Sequence, residues 1–391
     1  MTAANLAPMC RSSSAALLTA VGRGAVATIL VHWDHSLQGA FDSLFHAANG
    51  RPMHEQRIGQ IVFGRWGLAT TECEDVVLCR VTSGSLEIHC HGGDAAVRRI
   101  LDDLQHSGCP TVNWKSQCEY DVGAFDGECA EMLSRATTWR TAEILHEQAS
   151  GVLRRSLGNL LQVVRARTIS TAIQLTDELL GWAPFGRHLS QSWTVVLTGR
   201  PNVGKSSLIN ALLGYERAIV FDQPGTTRDV VTGETAFEGW PVLLADTAGL
   251  RDSTEELEAA GIARARERLK VADSRLVLVD ISQPPTAEDR ALVAAWSDAV
   301  IIGHKCDLGD RWLSELPANA LRASSVTGEG LQQIQRKLVD CLVPRVPSPG
   351  TAIPITDRQV ELLNLVRDKM LAQDLEAAER AIHQILGVTP Q

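Results

Sequence analysis

The chain has 391 residues, 45% of them apolar, enough for two to three domains with cores of their own. With 37 basic and 46 acidic residues its net charge is −9, which argues against a DNA-coating protein, since phosphate binding draws on clustered Lys and Arg. Nine cysteines without a Cys-x-x-Cys pair read as reduced thiols, no run reaches the ~18 apolar residues of a membrane span, and Met1-Thr2-Ala3-Ala4-Asn5 begins no signal peptide; the expected setting is cytoplasmic, without membrane or DNA partners.

Short apolar runs separated by Gly-rich turns fill the first 110 residues. Val26 to Trp33, Gln60 to Phe63, Val76 to Val81 and Ser85 to His91 read as strands, and Asp94 to Leu104, after Gly92-Gly93, as a helix. This predicts a small α+β domain over 1–125. From Gly127 to about Leu180 the period changes to 3.6, with Leu145, Leu153, Leu157, Leu160, Leu161 and Val164 on one or two long amphipathic helices that Trp182 to Gly186 breaks. Strands and helices then alternate from Trp193 to about Leu342. The Pro-rich segment from Arg345 to Pro354 is a linker, and Thr356-Asp357 caps a last helical stretch ending near Leu386. The fold expected is an α/β P-loop domain with a doubly wound, mainly parallel sheet (191–343). It is inserted in an α-helical domain, with 126–190 as that domain's first part and 344–391 as the linker and returning helix.

The strand at Trp193 to Thr198 runs into Gly199-Arg200-Pro201-Asn202-Val203-Gly204-Lys205-Ser206 and then a helix, the setting GxxxxGK[ST] requires. Its glycines let successive N–H groups and the helix N-terminus face phosphates, Lys205 reaches the β and γ phosphates, and Ser206 ligates Mg²⁺. Asn202, Val203, Gly204, Lys205, Ser206 and Ser207 are therefore nucleotide-binding candidates. Gly225-Thr226-Thr227-Arg228-Asp229 offers a switch threonine, Thr227, to Mg²⁺, with Thr226 beside it. A second strand ends in Asp246-Thr247-Ala248-Gly249, where Asp246 holds the metal through water and Gly249 meets the γ-phosphate. His304-Lys305-Cys306-Asp307 stands where Asn-Lys-x-Asp would select guanine, with the Asp accepting from the base N1 and N2 groups. Lys305 and Asp307 are kept and His304 replaces the Asn, so GTP is expected and ATP is the alternative. Ser324, Ser325 and Val326 complete a base-contacting loop. Leu250 stands where a water-positioning Gln would follow, leaving Glu255, Glu256 and Glu258 as carboxylates to orient water.

These segments, with Leu250-Arg251-Asp252, resemble the tRNA modification GTPase family MnmE (TrmE). The Gly22-Arg23-Gly24-Ala25-Val26 and Leu86-Glu87-Ile88-His89-Cys90-His91-Gly92-Gly93 segments resemble that family's N-terminal Gly-Arg-Gly and His-Gly-Gly motifs. The resemblance implies GTP hydrolysis activated by K⁺, which Asn202 and the loop carrying Phe221, Gln223 and Thr226 would ligate, with Lys205 and Glu258 as catalytic residues. It further implies a homodimer joined through the N-terminal domain, tRNA as a partner, and a second modification protein. Three features depart from the family. Leu30 stands where the family has a folate-binding Arg, leaving Glu87 as a single folate contact. The family's Pro-Gly-Glu-Phe stretch near 110–130 is missing, and the chain ends Leu386-Gly387-Val388-Thr389-Pro390-Gln391 rather than in Cys-x-Gly-Lys. A ribosome-assembly or RNA-binding switch GTPase, or a nucleotide-binding scaffold with negligible turnover, are the other functions this pattern fits. His89 and His91 share a strand face without a partner pair for zinc, and Arg154, Arg155, Arg165 and Arg167 read as a solvated helix face.

Overall fold

A computed structural model describes residues 13–388, apart from 21, 23, 34–36, 69–72, 216–231 and 247–271. The chain divides into two units, Met1–Gly127 and Glu128–Gln391.

The first unit is built on an antiparallel sheet. Its strands are β1 (Ser14–Leu17), β2 (Val26–His32), β3 (Phe45–Ala47), β4 (Ile61–Trp66), β5 (Glu74–Arg80) and β6 (Ser85–His91), in the order β1-β2-β6-β5-β4-β3. Alternation decides the faces, because successive side chains point to opposite sides. Ile29, Val31, Leu78, Leu86 and Ile88 are buried on one side, in a core shared with Ile100 and Leu104 of α2 (Asp94–His106) and Phe41 and Leu44 of α1 (Gln38–Leu44). The two glycine motifs meet here: Gly24 N–H donates to Gly92 C=O (3.3 Å), and Gly92 N–H to Ala25 C=O (3.1 Å). A side chain at Gly92 would stand 2.3 Å from the Gly24 carbonyl oxygen, so this approach needs glycine. α3 (Trp114–Val122) follows, and α4 (Ala124–Ser134) runs across the boundary between the units.

Sequence periodicity located the helical region but not its breaks. Instead of one or two long helices, α4 is followed by α5 (Trp139–Ala149), α6 (Val152–Arg165) and α7 (Ile169–Gly181). Thr138 caps α5 by accepting from Thr141 N–H, and Gly151 at φ 96° separates α5 from α6. Trp182 to Gly186 does not simply break the pattern, since Ala183–Arg187 forms a short helix, α8, with Pro184 in its first turn.

The second sheet comprises β7 (Trp193–Gly199), β8 (Thr232–Phe237), β9 (Trp240–Asp246), β10 (Ser274–Asp280), β11 (Val300–His304) and β12 (Leu321–Ala323), in the order β12-β11-β10-β7-β9-β8. All neighbours are parallel except β8 and β9. Helices cover both faces, so the central strands read as continuous apolar runs. Leu276 and Leu278 pack toward α9 (Lys205–Tyr215) and α11 (Leu331–Leu342). Val277 and Val279 face Trp312 and Leu316 on the other side, where α10 (Ala287–Ala295) also lies.

The single last helix expected from Thr356 onward is two helices, α12 (Asp357–Leu371) and α13 (Leu375–Leu386). Thr356 caps the first and Asp374 the second, with Gln373 between them at φ 59°. They pack on each other, and α12 packs on α7 and α13 on α6.

Candidate functional site

The site begins where β7 ends. Gly199 lies against β10, where a side chain would come within 2.6 Å of the Leu278 carbonyl oxygen. Asn202 (φ 63°) and Gly204 (φ 99°) are left-handed, which curls residues 200–204 before α9 starts at Lys205. Free backbone N–H groups at a helix start and a curled loop form a concavity suited to an anion. Lys205, 7% exposed, turns its ammonium back onto the loop, donating to the Gly199 and Arg200 carbonyls at 3.0 Å each. Ser206 Oγ donates to Asp246 Oδ2 at 3.0 Å, which brings a hydroxyl and a buried carboxylate together at the ends of β9 and the loop.

A second cluster closes the other side. His304 ends β11 at 2% exposure; its Nδ1 lies 2.8 Å from the Val203 carbonyl oxygen and its Nε2 2.7 Å from Ser325 Oγ. Burial pushes its imidazole below the ordinary range, and Lys305 adds to that. The Val203 carbonyl and the charges of Asp280 and Asp307 pull the other way without prevailing. Lys305, left-handed at φ 63°, donates to the Asn202 carbonyl (2.9 Å) and to Asp280 Oδ2 (2.6 Å). Burial alone would raise the Asp280 carboxyl, but the hydrogen bonds from Lys305 and Ser282 outweigh it and hold the group below the usual carboxylate range. Ser324 is fully buried and its Oγ accepts from the N–H groups of Val326 and Thr327, shaping the turn, while Asp307 and Val326 face solvent.

Of the residues singled out in the sequence, Asn202, Val203, Lys205, Ser206, Asp246, His304, Lys305 and Ser325 are thus drawn into one bonded constellation, with Gly204 packed against the His304 ring. Phe221, Gln223, Thr226, Thr227, Gly249 and Glu258 lie outside the described residues.

Sequence reasoning missed Arg200 and Asp280. Arg200 Nη1 donates to Thr286 Oγ1 (3.0 Å) and Asp289 Oδ2 (3.2 Å), and its Nε lies 3.1 Å from Glu288. It thereby fastens the loop to the capping box that starts α10. The Thr286-x-x-Asp289 spacing was a legible capping signal, but its pairing with a residue 86 positions earlier was not.

The other candidates are accounted for locally. Leu30 pairs across the sheet with Glu87, and Glu87 lies 3.3 Å from His89 Nε2, whose Nδ1 meets Thr28 Oγ1 at 3.0 Å. His91 pairs with Glu74 instead. Arg165 donates through Nε and Nη2 to Glu379, which removes it from the basic cluster.

A family model described as 50S ribosome-binding GTPase matches residues 194–304. Over nearly the whole chain, the tRNA modification GTPase MnmE of Symbiobacterium thermophilum is 30% identical, covering 96% of this chain and 95% of that protein. A corresponding protein of Thermus thermophilus is 30% identical, covering 95% and 94%. That of Chloroflexus aurantiacus is 32% identical, covering 78% of each.

Proposed function

The chain belongs to the tRNA modification GTPase MnmE family, and from that premise we propose how its own residues bind and hydrolyse GTP. The observation that carries the reading is the constellation in which the Gly199–Ser206 loop is tied on one side to Asp246 and on the other to Lys305 and to His304, which Ser325 holds in turn.

In this reading the N–H groups of 202–206 hold the phosphates, and Ser207 contributes at the start of α9. The Lys205 ammonium leaves the loop carbonyls for the β and γ oxygens, where charge accumulates as water attacks γ-phosphorus in line. Ser206 and Asp246 fit Mg²⁺, because a hydroxyl and a carboxylate are hard oxygen donors; Thr227 is the further ligand proposed. Held by these residues, Mg²⁺ would supply positive charge to the phosphates. Thr226 and Gly249 are assigned to the γ-phosphate and Glu258 to orienting water. A K⁺ held by Asn202, Phe221, Gln223 and Thr226 would add cationic charge at the same place.

Guanine follows from Asp307. Guanine presents two donors, N1–H and N2–H₂, which one carboxylate accepts together; adenine presents an acceptor at N1 and fails the match. That disfavours ATP despite His304. The match to the 50S ribosome-binding GTPase model is confined to residues 194–304, whereas the identity to the tRNA modification proteins runs over nearly the whole chain. Full-length identity to the tRNA modification proteins favours a role on tRNA, with a homodimer joined through residues 1–125 and a second modification protein as partner. The domain limits proposed are 126–190 and 344–391 for the helical domain and 191–343 for the G domain, supported by α12 and α13 packing on α7 and α6. Folate is not assigned to Leu30 and Glu87. Titration of the full chain with GDP and ADP tests the base reading: GDP binds tightly and ADP does not, and Asp307→Ala costs GDP about 10- to 100-fold in affinity, as expected for a charged acceptor of two bonds. Equal affinity for the two nucleotides would refute it.

A further inference from the structure

The His304 ring has two nitrogens, and both are occupied by the protein. Nδ1 faces the Val203 carbonyl at 2.8 Å, and a carbonyl can only accept, so Nδ1 carries the proton. In a neutral imidazole Nε2 is then an acceptor, and the Ser325 hydroxyl at 2.7 Å donates to it. The ring cannot swing away to find another partner. It is 2% exposed and wedged against Gly204, where a Cβ would lie 2.5 Å from two of its atoms.

We propose that position 304 of this protein makes no hydrogen bond to the N7 of the guanine base, because His304 spans from the phosphate loop to the Ser325 loop with no donor left over. An Asn at the same place would offer two N–H donors and a carbonyl oxygen, enough to bridge both loops and still donate to N7. His304 keeps the bridge and omits the donation. Selectivity for guanine over adenine is untouched, since N7 is an acceptor in both bases; what changes is which atoms of the purine the site reads. His304 is in this sense a specificity-determining residue that sets tolerance at the imidazole edge of the base, while Asp307 reads the pyrimidine edge.

The proposal rests on GTP being the nucleotide, with its base beside residues 305–307 and 324–326. The test titrates the full-length protein and its His304→Asn and Ser325→Ala variants with GDP and with 7-deaza-GDP, in which a C–H replaces N7. Wild-type protein binds the two with equal affinity. His304→Asn prefers GDP by about fivefold, the scale of one neutral hydrogen bond. Ser325→Ala weakens both ligands alike and leaves their ratio at one, as loss of a strut should. A fivefold preference for GDP in the wild type would overturn the proposal, and so would a ratio of one in His304→Asn. Failure of GDP to bind any of the three proteins would instead strike the nucleotide assignment itself.

Discussion

His304 braces two loops, its Nδ1 on the Val203 carbonyl and its Nε2 on the Ser325 hydroxyl. In the sequence it is a missing amide; in the structure its ring leaves no room for a side chain at position 204, which needs glycine for its φ of 99° as well. A buried imidazole held below its ordinary range makes a prediction with a definite sign. The unfolded chain takes up a proton near pH 6.5, and the folded state resists it; below that range the unfolded state binds more protons and stability falls with pH. The charged groups facing the ring are Lys305, which adds to the effect, and Asp280 and Asp307, which oppose it. Thermal denaturation between about pH 7.5 and 5.5, a window that brackets the ordinary imidazole range, should show a falling midpoint in the wild type and a shallower fall in His304→Asn. Parallel curves would mean that another group carries the dependence. The residues lost to sequence reading, Arg200 and Asp280, share one property: each acts through a partner far away in the chain, 86 and 89 residues from Arg200 and 25 from Asp280. No local pattern encodes such a pair.

Elements were legible where burial imposes a period and illegible where a single residue ends them. The central parallel strands announced themselves as apolar runs, as did β2, β4, β5 and β6, whereas the short β1, β3 and β12 did not. The helix breaks at Thr138, Gly151 and Gln373 depend on capping and left-handed residues that interrupt a 3.6 period without erasing it. At the same scale the helices and the second sheet are fastened at the strand starts. Phe185 of α8 lies between Trp193 and Trp240 at centroid distances of 6.0 and 5.5 Å, and the Arg140 guanidinium sits 4.2 Å over Trp240 while donating to the Glu238 carbonyl. The linker is seated as firmly: the fully buried Gln148 of α5 donates to Thr351 C=O and accepts from Ile353 N–H. Gly186 permits this seat, because a side chain there would stand 1.9 Å from the Pro354 carbonyl oxygen. Gly186→Ala should therefore destabilise the protein by about 1–3 kcal/mol through overpacking, read as a lower denaturation midpoint in urea. An unchanged midpoint would show that the linker is not clamped.

At the scale of the whole molecule, two sheets of opposite character serve different ends. The antiparallel sheet carries the paired glycine motifs, and the parallel sheet carries the loops that gather Lys205, Asp246 and His304. Among the described residues no helix is long and apolar enough to cross a membrane. The curled loop before α9 was legible because phosphate loops need fixed spacings of Gly, Lys and Ser, whatever surrounds them. The hydrolytic side was less so, because a carboxylate that orients water has no obligatory spacing, and the proposal of Glu258 for that role came from resemblance.

We propose a GTPase whose transition state is relieved by cationic charge beside Asn202. The direct measurement is steady-state GTP hydrolysis by the full chain in KCl and in NaCl at equal ionic strength, with Asn202→Ala alongside. We expect K⁺ to accelerate turnover by about tenfold or more, in line with charge supplied at the γ-phosphate, and the variant to lose that response while still binding GDP. Equal, near-zero rates in both salts despite tight GTP binding would rule out cation-assisted hydrolysis and leave a nucleotide-dependent scaffold.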